Sequence, residues 1–352
     1  TDQQPQLLEK AYKLILNYAA SSEELSNLKA SYVSEMKSKK KQILIRQLFP
    51  SFRKLVNLNK YSDETLLSEV ANITVKDLSE FRDELLKSSR MNVFAFGNYN
   101  DQQAIKTTRF LESLLPSDRN ISDIYFAKTL QPKAGSIVNW QQDVELTDIA
   151  LLDTFFKPFD VKDHAAAKVL NQLLRPALSN QIRTEEQLAY SVGFFNQGMR
   201  EQLLMGFYIQ SPAKGVSAIA ERIELFKQDF VNTLTNTSEK EFNTVKQSVL
   251  TTLTQPPKNL QDESRKFYMD WRESKLSFDS KSKLISAVKL VDFEQVNRLY
   301  QSLVSADGFG RVMVQMRGTK FKNEAFVEFK SQESNKVEQV TNIDEFHAEQ
   351  IK

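Results

Sequence analysis

The chain has 352 residues, about 41% of them apolar and 26% charged, which is enough material for one large or two ordinary globular domains. Its 47 basic and 45 acidic side chains leave a formal charge of +2, so the overall balance gives no reason to expect nucleic acid or an anionic membrane as a partner. There is no cysteine, which excludes disulfides and thiolate metal sites, and every apolar run is too short to span a bilayer.

The first territory, from about residue 5 to 90, reads as helices. Leu7, Leu8, Ala11, Leu14, Ile15 and Tyr18 fall on one face with a 3.6-residue period. A second helix is expected to start near Ser21, Ser22, Glu23 and Glu24, where serine caps and the acids complement the helix dipole. A third, over 74–86, places Leu78, Phe81, Leu85 and Leu86 on its buried face. Residues 92–97 (Asn-Val-Phe-Ala-Phe-Gly) read as one short strand. The Pro-, Ser- and Asn-containing stretch that follows, over 117–133, reads as a linker.

The second territory has strands at 136–140 and 150–156. A helix capped by Asp160 follows, with Asp163 in its first turn and a stripe of Ala166, Leu170, Leu174, Ala177 and Leu178. A hairpin comes next, pairing 188–196 with 202–211 and turning at Gln197-Gly198. Residues 215–305 return to helices, and a last strand spans 310–317.

The later helices are a loose copy of the first. Residues 22–29 lie over 239–246, and Tyr61-Ser62-Asp63 lies near Phe278-Asp279-Ser280. Leu67, Val70, Leu78, Phe81 and Leu85 lie over Ile285, Val288, Val296, Leu299 and Leu303, and both copies close on a glycine-ended strand, at Gly97 and Gly318. Several ordered elements at one offset of roughly 220 residues signal an internal duplication. Only the second copy has a strand–strand–helix–hairpin front end. The first copy therefore reads as cut, and Thr1 as the start of a piece of a longer chain. The implied fold is α+β: duplicated two-layer sandwich domains, each a largely antiparallel sheet covered by helices, the first incomplete at its N-terminus. Residues 1–116 form that partial domain and 134–352 the complete one.

Few residues offer chemistry. His164 and His347 are the only histidines; the first begins His-Ala-Ala-Ala-Lys with no second ligand in the turn, and the second lies in a polar C-terminal tail. A catalytic zinc needs about three ligands, commonly with a pair on one helix face, so no metal is expected in this chain. Nine glycines form neither a nucleophile elbow nor a phosphate loop. The Lys37 to Lys41 cluster is either a solvated helix face or a basic wall for acidic peptide or polyanion. Residues 178–190 run from a helix end through a polar turn into a strand. There Arg183 and Tyr190 either form a donor pair for a carbonyl or oxyanion, or merely satisfy helix-end carbonyls and fill the core.

The run Ile-Arg-Thr-Glu-Glu-Gln-Leu-Ala-Tyr at 182–190 resembles the Leu-Arg-Thr-x-Glu-Gln-Leu-Gly-Tyr signature of the C-terminal half of M16 zinc peptidases, the pitrilysin and insulin-degrading group. Residues 260–268 followed by Ser277-Phe278-Asp279 are similar to the segment before that family's last helices, and the likeness spans about 5–320. It is most like the bacterial periplasmic members. The resemblance implies a four-domain peptidase whose halves close around a peptide, with 1–116 belonging to the third domain and 134–352 to the fourth. It implies zinc in the full-length enzyme, bound by the missing N-terminal half, and a chain that is inactive alone. Its partners would be that zinc-bearing half and peptide substrates, with no nucleic acid and no membrane span, in the periplasm. By motif position Arg183 and Tyr190 would reach the substrate near the zinc. Ala189 in place of the usual glycine and Glu185 in place of the usual basic residue depart from the family's pattern. The alternative is a naturally zinc-free subunit that binds peptide for a separate catalytic partner.

Overall fold

The computed structural model describes residues 4–88, 92–98, 100–114, 126–305, 308–329 and 336–351. By internal contacts they form two compact units: one takes in 1–37, 62–126 and 257–274, the other 38–61, 127–256 and 275–352.

The second unit is built on a six-stranded mixed sheet. Its strands are β1 (Ile137–Asp143), β2 (Ile149–Pro158), β3 (Ser191–Met199), β4 (Gln202–Ser211), β5 (Gly310–Arg317) and β6 (Val337–Val340), in the order β3-β4-β2-β5-β1-β6. Pairing is antiparallel from β3 to β5 through β4 and β2, and parallel where β1 joins β5 and β6. Every residue of β2 from Ile149 to Phe156 is buried, because both faces of the sheet are covered. Ile149, Leu151 and Phe155 point into one apolar cluster, while Ala150, Leu152 and Phe156 point into another.

The helices can be numbered along the chain. The first six are α1 (Gln4–Leu16), α2 (Ser22–Lys40), α3 (Leu44–Val56), α4 (Asp63–Asn72), α5 (Val75–Ser88) and α6 (Asp101–Ser113). Then come α7 (Val161–Leu178), α8 (Val216–Thr235), α9 (Glu239–Thr254), α10 (Leu260–Arg272), α11 (Ser280–Leu290), α12 (Phe293–Val304) and α13 (Ile343–Ile351). On one face of the sheet α7, α8 and α12 bury the predicted stripe: Ala166, Leu170, Leu174 and Leu178 are inaccessible, joined by Ile219, Phe226, Val296 and Tyr300. Asp160 caps α7 as predicted, its carboxylate accepting from the backbone N–H groups of Lys162 (2.6 Å) and Asp163 (3.3 Å). On the other face α3 lays Leu44, Leu48, Phe52, Leu55 and Val56 against Ala150, Leu152, Phe156 and Val314, beside Ile343 and Phe346 of α13. That second covering layer adds to the two-layer arrangement expected from sequence.

The duplication is visible in element order. α1 to α5 recur as α8 to α12 with nearly constant spacing, and Ser21 and Ser238 cap the second helix of each copy through bonds to Glu24 N–H (3.1 Å) and Glu241 N–H (3.2 Å). The third helix of each copy is grouped with the other copy's unit: 38–61 falls in the second and 257–274 in the first. In the first unit α10 presents Phe267, Tyr268 and Trp271 to Phe94 and Phe96, with ring centroids 5.4–5.8 Å apart.

Four expectations need correction. Residues 92–97 are not a strand: no strand edge pairs with them among the described residues, and their alternate apolar side chains are satisfied by the α10 aromatics instead. The hairpin turns at Arg200-Glu201, because Arg200 takes the left-handed conformation (φ 50°) and β3 runs on through Gly198 to Met199. His347 is no tail residue. It is 4% exposed on α13, and its ring nitrogens lie 2.8 Å from the Lys60 carbonyl and 3.0 Å from the Leu55 carbonyl. Phe81 and Leu85, expected to be buried, are exposed (64% for Phe81), for a reason taken up below. The side chain of Leu86 and most of the linker at 117–133 are not among what is described.

Candidate functional site

The signature segment forms an elbow. Pro176 sits in the last turn of α7, where it removes one backbone donor, and the chain then widens into a π-helical turn, Ser179–Glu185. Glu186 N–H donates to the Gln181 carbonyl (3.0 Å) and Leu188 N–H to the Ile182 carbonyl (2.9 Å). Between them Gln187 adopts φ 53°. The reversal is completed by Ser211 Oγ, which donates to the Leu188 carbonyl (2.6 Å), and by Tyr190 N–H, which donates to the Gln210 carbonyl (3.1 Å) and starts β3.

This geometry brings the two predicted residues to one place. Because residues 182 and 188 are in backbone hydrogen-bond contact, Arg183 and Tyr190 leave the chain one and two residues from a common point. Both side chains are exposed, Tyr190 by 62%, and neither has a hydrogen-bond or ion-pair partner among the described residues. Ile182, Leu188 and Ala189 are buried beneath them. The arginine therefore does not tie up helix-end carbonyls and the tyrosine is not core. A fixed positive charge and a directed hydroxyl donor stand ready for an external acceptor.

The departures from the motif are harmless here. The left-handed residue of the elbow is Gln187, not Ala189, so alanine is accommodated in place of glycine. Glu185 accepts a bond from Asn180 Nδ2 (2.7 Å) across the π turn. Sequence reasoning missed the group that ties the elbow down: Glu186 takes a bidentate pair from Arg222 on α8, with Nη2 2.6 Å from Oε1 and Nε 2.8 Å from Oε2. The bonds from Arg222 hold the Glu186 carboxyl below its ordinary pKa, and those from Glu186 raise the arginine. A partner 36 residues away leaves no local signal.

His164 is half-buried, packed edge-on to Phe159 with centroids 5.6 Å apart. Burial, with lesser contributions from Lys168 and Lys275, pushes it down to about 4. Among the described residues no group of three or more His, Asp or Glu converges to hold a metal ion, so no step is routed through a metal in this chain. No helix among them is long and apolar enough to cross a membrane. Lys37, Lys39 and Lys40 occupy the exposed end of α2, where cations favour the helix dipole, and Lys41 follows it directly.

An α+β unit of this topology, with an elbow leading into an edge strand, is the kind of fold seen in peptidases of the pitrilysin and insulin-degrading type. Comparison with known proteins supports that class. Residues 169–268 match the family described as PQQ synthase PqqF-like, C-terminal lobe domain 4. Protease 3 of Escherichia coli O6:H1 is 27% identical over 324 residues, covering 91% of this chain and 33% of the relative. The human insulin-degrading enzyme is 20% identical over 320 residues, covering 87% of this chain and 31% of the relative. The crystal structure of pitrilysin superposes with a TM-score of 0.86 at 25% identity, over 99% of this chain and 37% of that one. These matches make the chain similar to part of the C-terminal half of M16 peptidases. It spans about a third of the length of the curated relatives it matches.

Proposed function

We propose that this chain is the non-metal-binding C-terminal half of a zinc metalloendopeptidase that degrades peptides and small proteins. In that assembly residues 1–116 belong to the third domain and 134–352 form the fourth. The partner is the zinc-bearing N-terminal half of the same protein. By resemblance to bacterial family members the enzyme works in the periplasm.

The observation that carries this reading is the elbow at 182–190. Its two exposed polar side chains are unengaged, although the backbone that carries them is held at several points. When bound in the other half, the zinc supplies Lewis-acid polarisation and an activated water. This chain's contribution is orientation and charge. Tyr190 Oη donates one directed bond and Arg183 up to two to the scissile carbonyl or a neighbouring backbone oxygen. Negative charge grows on that oxygen in the transition state, so donors placed in advance strengthen their bonds as the reaction proceeds. Enclosing the peptide also excludes water, which strengthens those interactions further.

The first unit supports the domain assignment. Phe81 and Leu85 of α5 are exposed, whereas their counterparts Leu299 and Leu303 of α12 are buried beside α7 and α8 in the apolar cluster on one face of the second unit's sheet. A sheet equivalent to that one would cover them in the third domain.

The test is cleavage of a quenched fluorescent peptide by this chain alone and mixed with the zinc-bearing half. No turnover is expected alone and turnover on mixing. Arg183→Ala or Tyr190→Phe should each lower kcat/KM roughly tenfold to a thousandfold, the range for one lost oxyanion donor. Zinc-dependent cleavage by this chain alone would overturn the reading. Activity indifferent to both substitutions would reduce this half to a lid.

A further inference from the structure

The elbow is anchored in two separate ways, one on each side of the left-handed residue Gln187. After it, the chain is held by the sheet: Leu188 by Ser211 Oγ, and Tyr190 by the backbone of Gln210. Before it, the π turn that carries Arg183 is fixed to the body of the unit by the bidentate pair between Glu186 and Arg222. Of the other polar bonds of this stretch, Asn180 to Glu185 and Glu186 N–H to Gln181 are internal to the turn, and Leu188 N–H to the Ile182 carbonyl is a single backbone bond across Gln187, which sets no orientation for the turn. Both members of the pair are mostly shielded from solvent, and Arg222 is fixed in the middle of α8, whose Ile219, Ile223 and Phe226 are core residues. A two-point guanidinium–carboxylate contact sets orientation as well as distance.

We propose that Glu186 and Arg222 form a positioning clamp for Arg183 and not for Tyr190, so that the two substrate contacts of one elbow are aligned independently. This rests on the reading of Arg183 and Tyr190 as substrate contacts. The clamp touches no reacting atom; it acts by keeping the arginine's starting point fixed, where an error of about 1 Å costs on the order of a hundredfold in rate.

The consequence is a specific pattern of non-additivity. In the full-length protease that contains this chain, Glu186→Gln should lower kcat/KM for a fluorescent peptide roughly fivefold to fiftyfold, mainly through kcat. The same loss should appear on top of Tyr190→Phe, since the sheet still holds that residue. In an Arg183→Ala background it should shrink to less than about twofold, because there is no guanidinium left to misplace. Exchanging the partners, Glu186→Arg with Arg222→Glu, should recover part of the loss. Hydrogen exchange gives a second reading that does not depend on turnover. Amides of 182–186 should exchange faster in Glu186→Gln, while that of Tyr190 stays unchanged. An equal loss in all three backgrounds, or faster exchange on both sides of Gln187, makes the pair a general stabiliser and overturns the clamp. A silent Arg183→Ala instead overturns the reading of the site, and the clamp with it.

Discussion

Asp153 is the residue whose replacement the fold should tolerate least. It sits in the middle of β2, 2% exposed, and two cations converge on it. Arg311 donates from Nε to Oδ1 (2.6 Å) and from Nη2 to Oδ2 (2.8 Å), and Lys227 Nζ lies 3.4 Å from Oδ2. Lys227 is itself buried, over the rings of Phe155 (5.1 Å) and Phe207 (5.6 Å). Burial alone would push the Asp153 carboxyl up, but Arg311 and then Lys227 outweigh it and hold it below its ordinary value. Asp153→Asn keeps the shape and removes the charge, leaving two buried cations to share Glu224, which is only half-buried at the rim (2.6 Å from Lys227, 2.8 Å from Arg311). Breaking a buried pair in this way costs about 3–5 kcal/mol. For a unit of roughly 230 residues that is a fall in Tm of about 6–20 °C. Urea unfolding at pH 7 and calorimetry would measure it. Adding Lys227→Met should restore at least half of the loss, since the remaining arginine then has Glu224 to itself. The folded pKa of Asp153 is depressed, so its contribution is full above the unfolded value of 3.8 and is lost as pH falls below it. A loss of under about 1 kcal/mol at pH 7, with no rescue by the second substitution, would refute the reasoning.

Other outcomes follow from the same structure. Leu48→Ala, at a fully buried position of α3, should cost about 2–5 kcal/mol and lower the denaturation midpoint accordingly. His164 is depressed to about 4 from 6.5, so the unfolded chain binds its proton first; stability should be full above pH 6.5 and fall by up to about 3 kcal/mol on acidification to pH 4. Unfolding free energies across that window, with His164→Gln removing most of the slope, would check this. Ser274 takes φ 59° just beyond α10, with its N–H bonded to the Trp271 carbonyl (2.9 Å). Ser274→Gly should therefore stabilise by about 0.5–1 kcal/mol, read as a rise in Tm.

What could be read in advance follows a physical line. The α7 stripe and its Asp160 cap were legible because period and cap are local properties, satisfied within one helix. β2 was legible as a short apolar run and Gly310–Arg317 as a strand, but the latter is not the last: the short β6 (Val337–Val340) after it went unread. The hairpin turn was misplaced because Gly198 advertises a turn, while the residue that actually turns is an arginine held at φ 50° by the register of β3 on β4. The 92–97 segment has a strand's alternation, but pairing needs a neighbouring edge, and its aromatics found those of α10 instead. Burial of His347 depends on the carbonyls of Leu55 and Lys60, almost 300 residues earlier in the chain. At the site, Arg183 and Tyr190 were found through a motif, because residue chemistry alone left their roles open. The clamp on Arg222 was invisible for the same reason as the His347 contacts: nothing local encodes it.

The two copies together separate what a helix sequence specifies from what its neighbours supply. α5 and α12 carry matching apolar positions, and both show the helical period. Yet Phe81 is 64% exposed and its counterpart Leu299 is 4% exposed. Local propensity and capping are present in each: Thr74 bonds Asp77 N–H (3.2 Å), and Asp292 bonds Gln295 N–H (2.7 Å). The difference is what packs against them. In the second unit α12 is buried beside α7 and α8, in a cluster that also holds residues of β2, β4 and β5, whereas no described strand belongs to the first unit. Fully burying one such side chain contributes about 1.5–3 kcal/mol, so several exposed positions on α1 and α5 leave the first unit without a term the second unit has. The helices form from their own sequence, and the burial of their apolar faces is set by what packs against them.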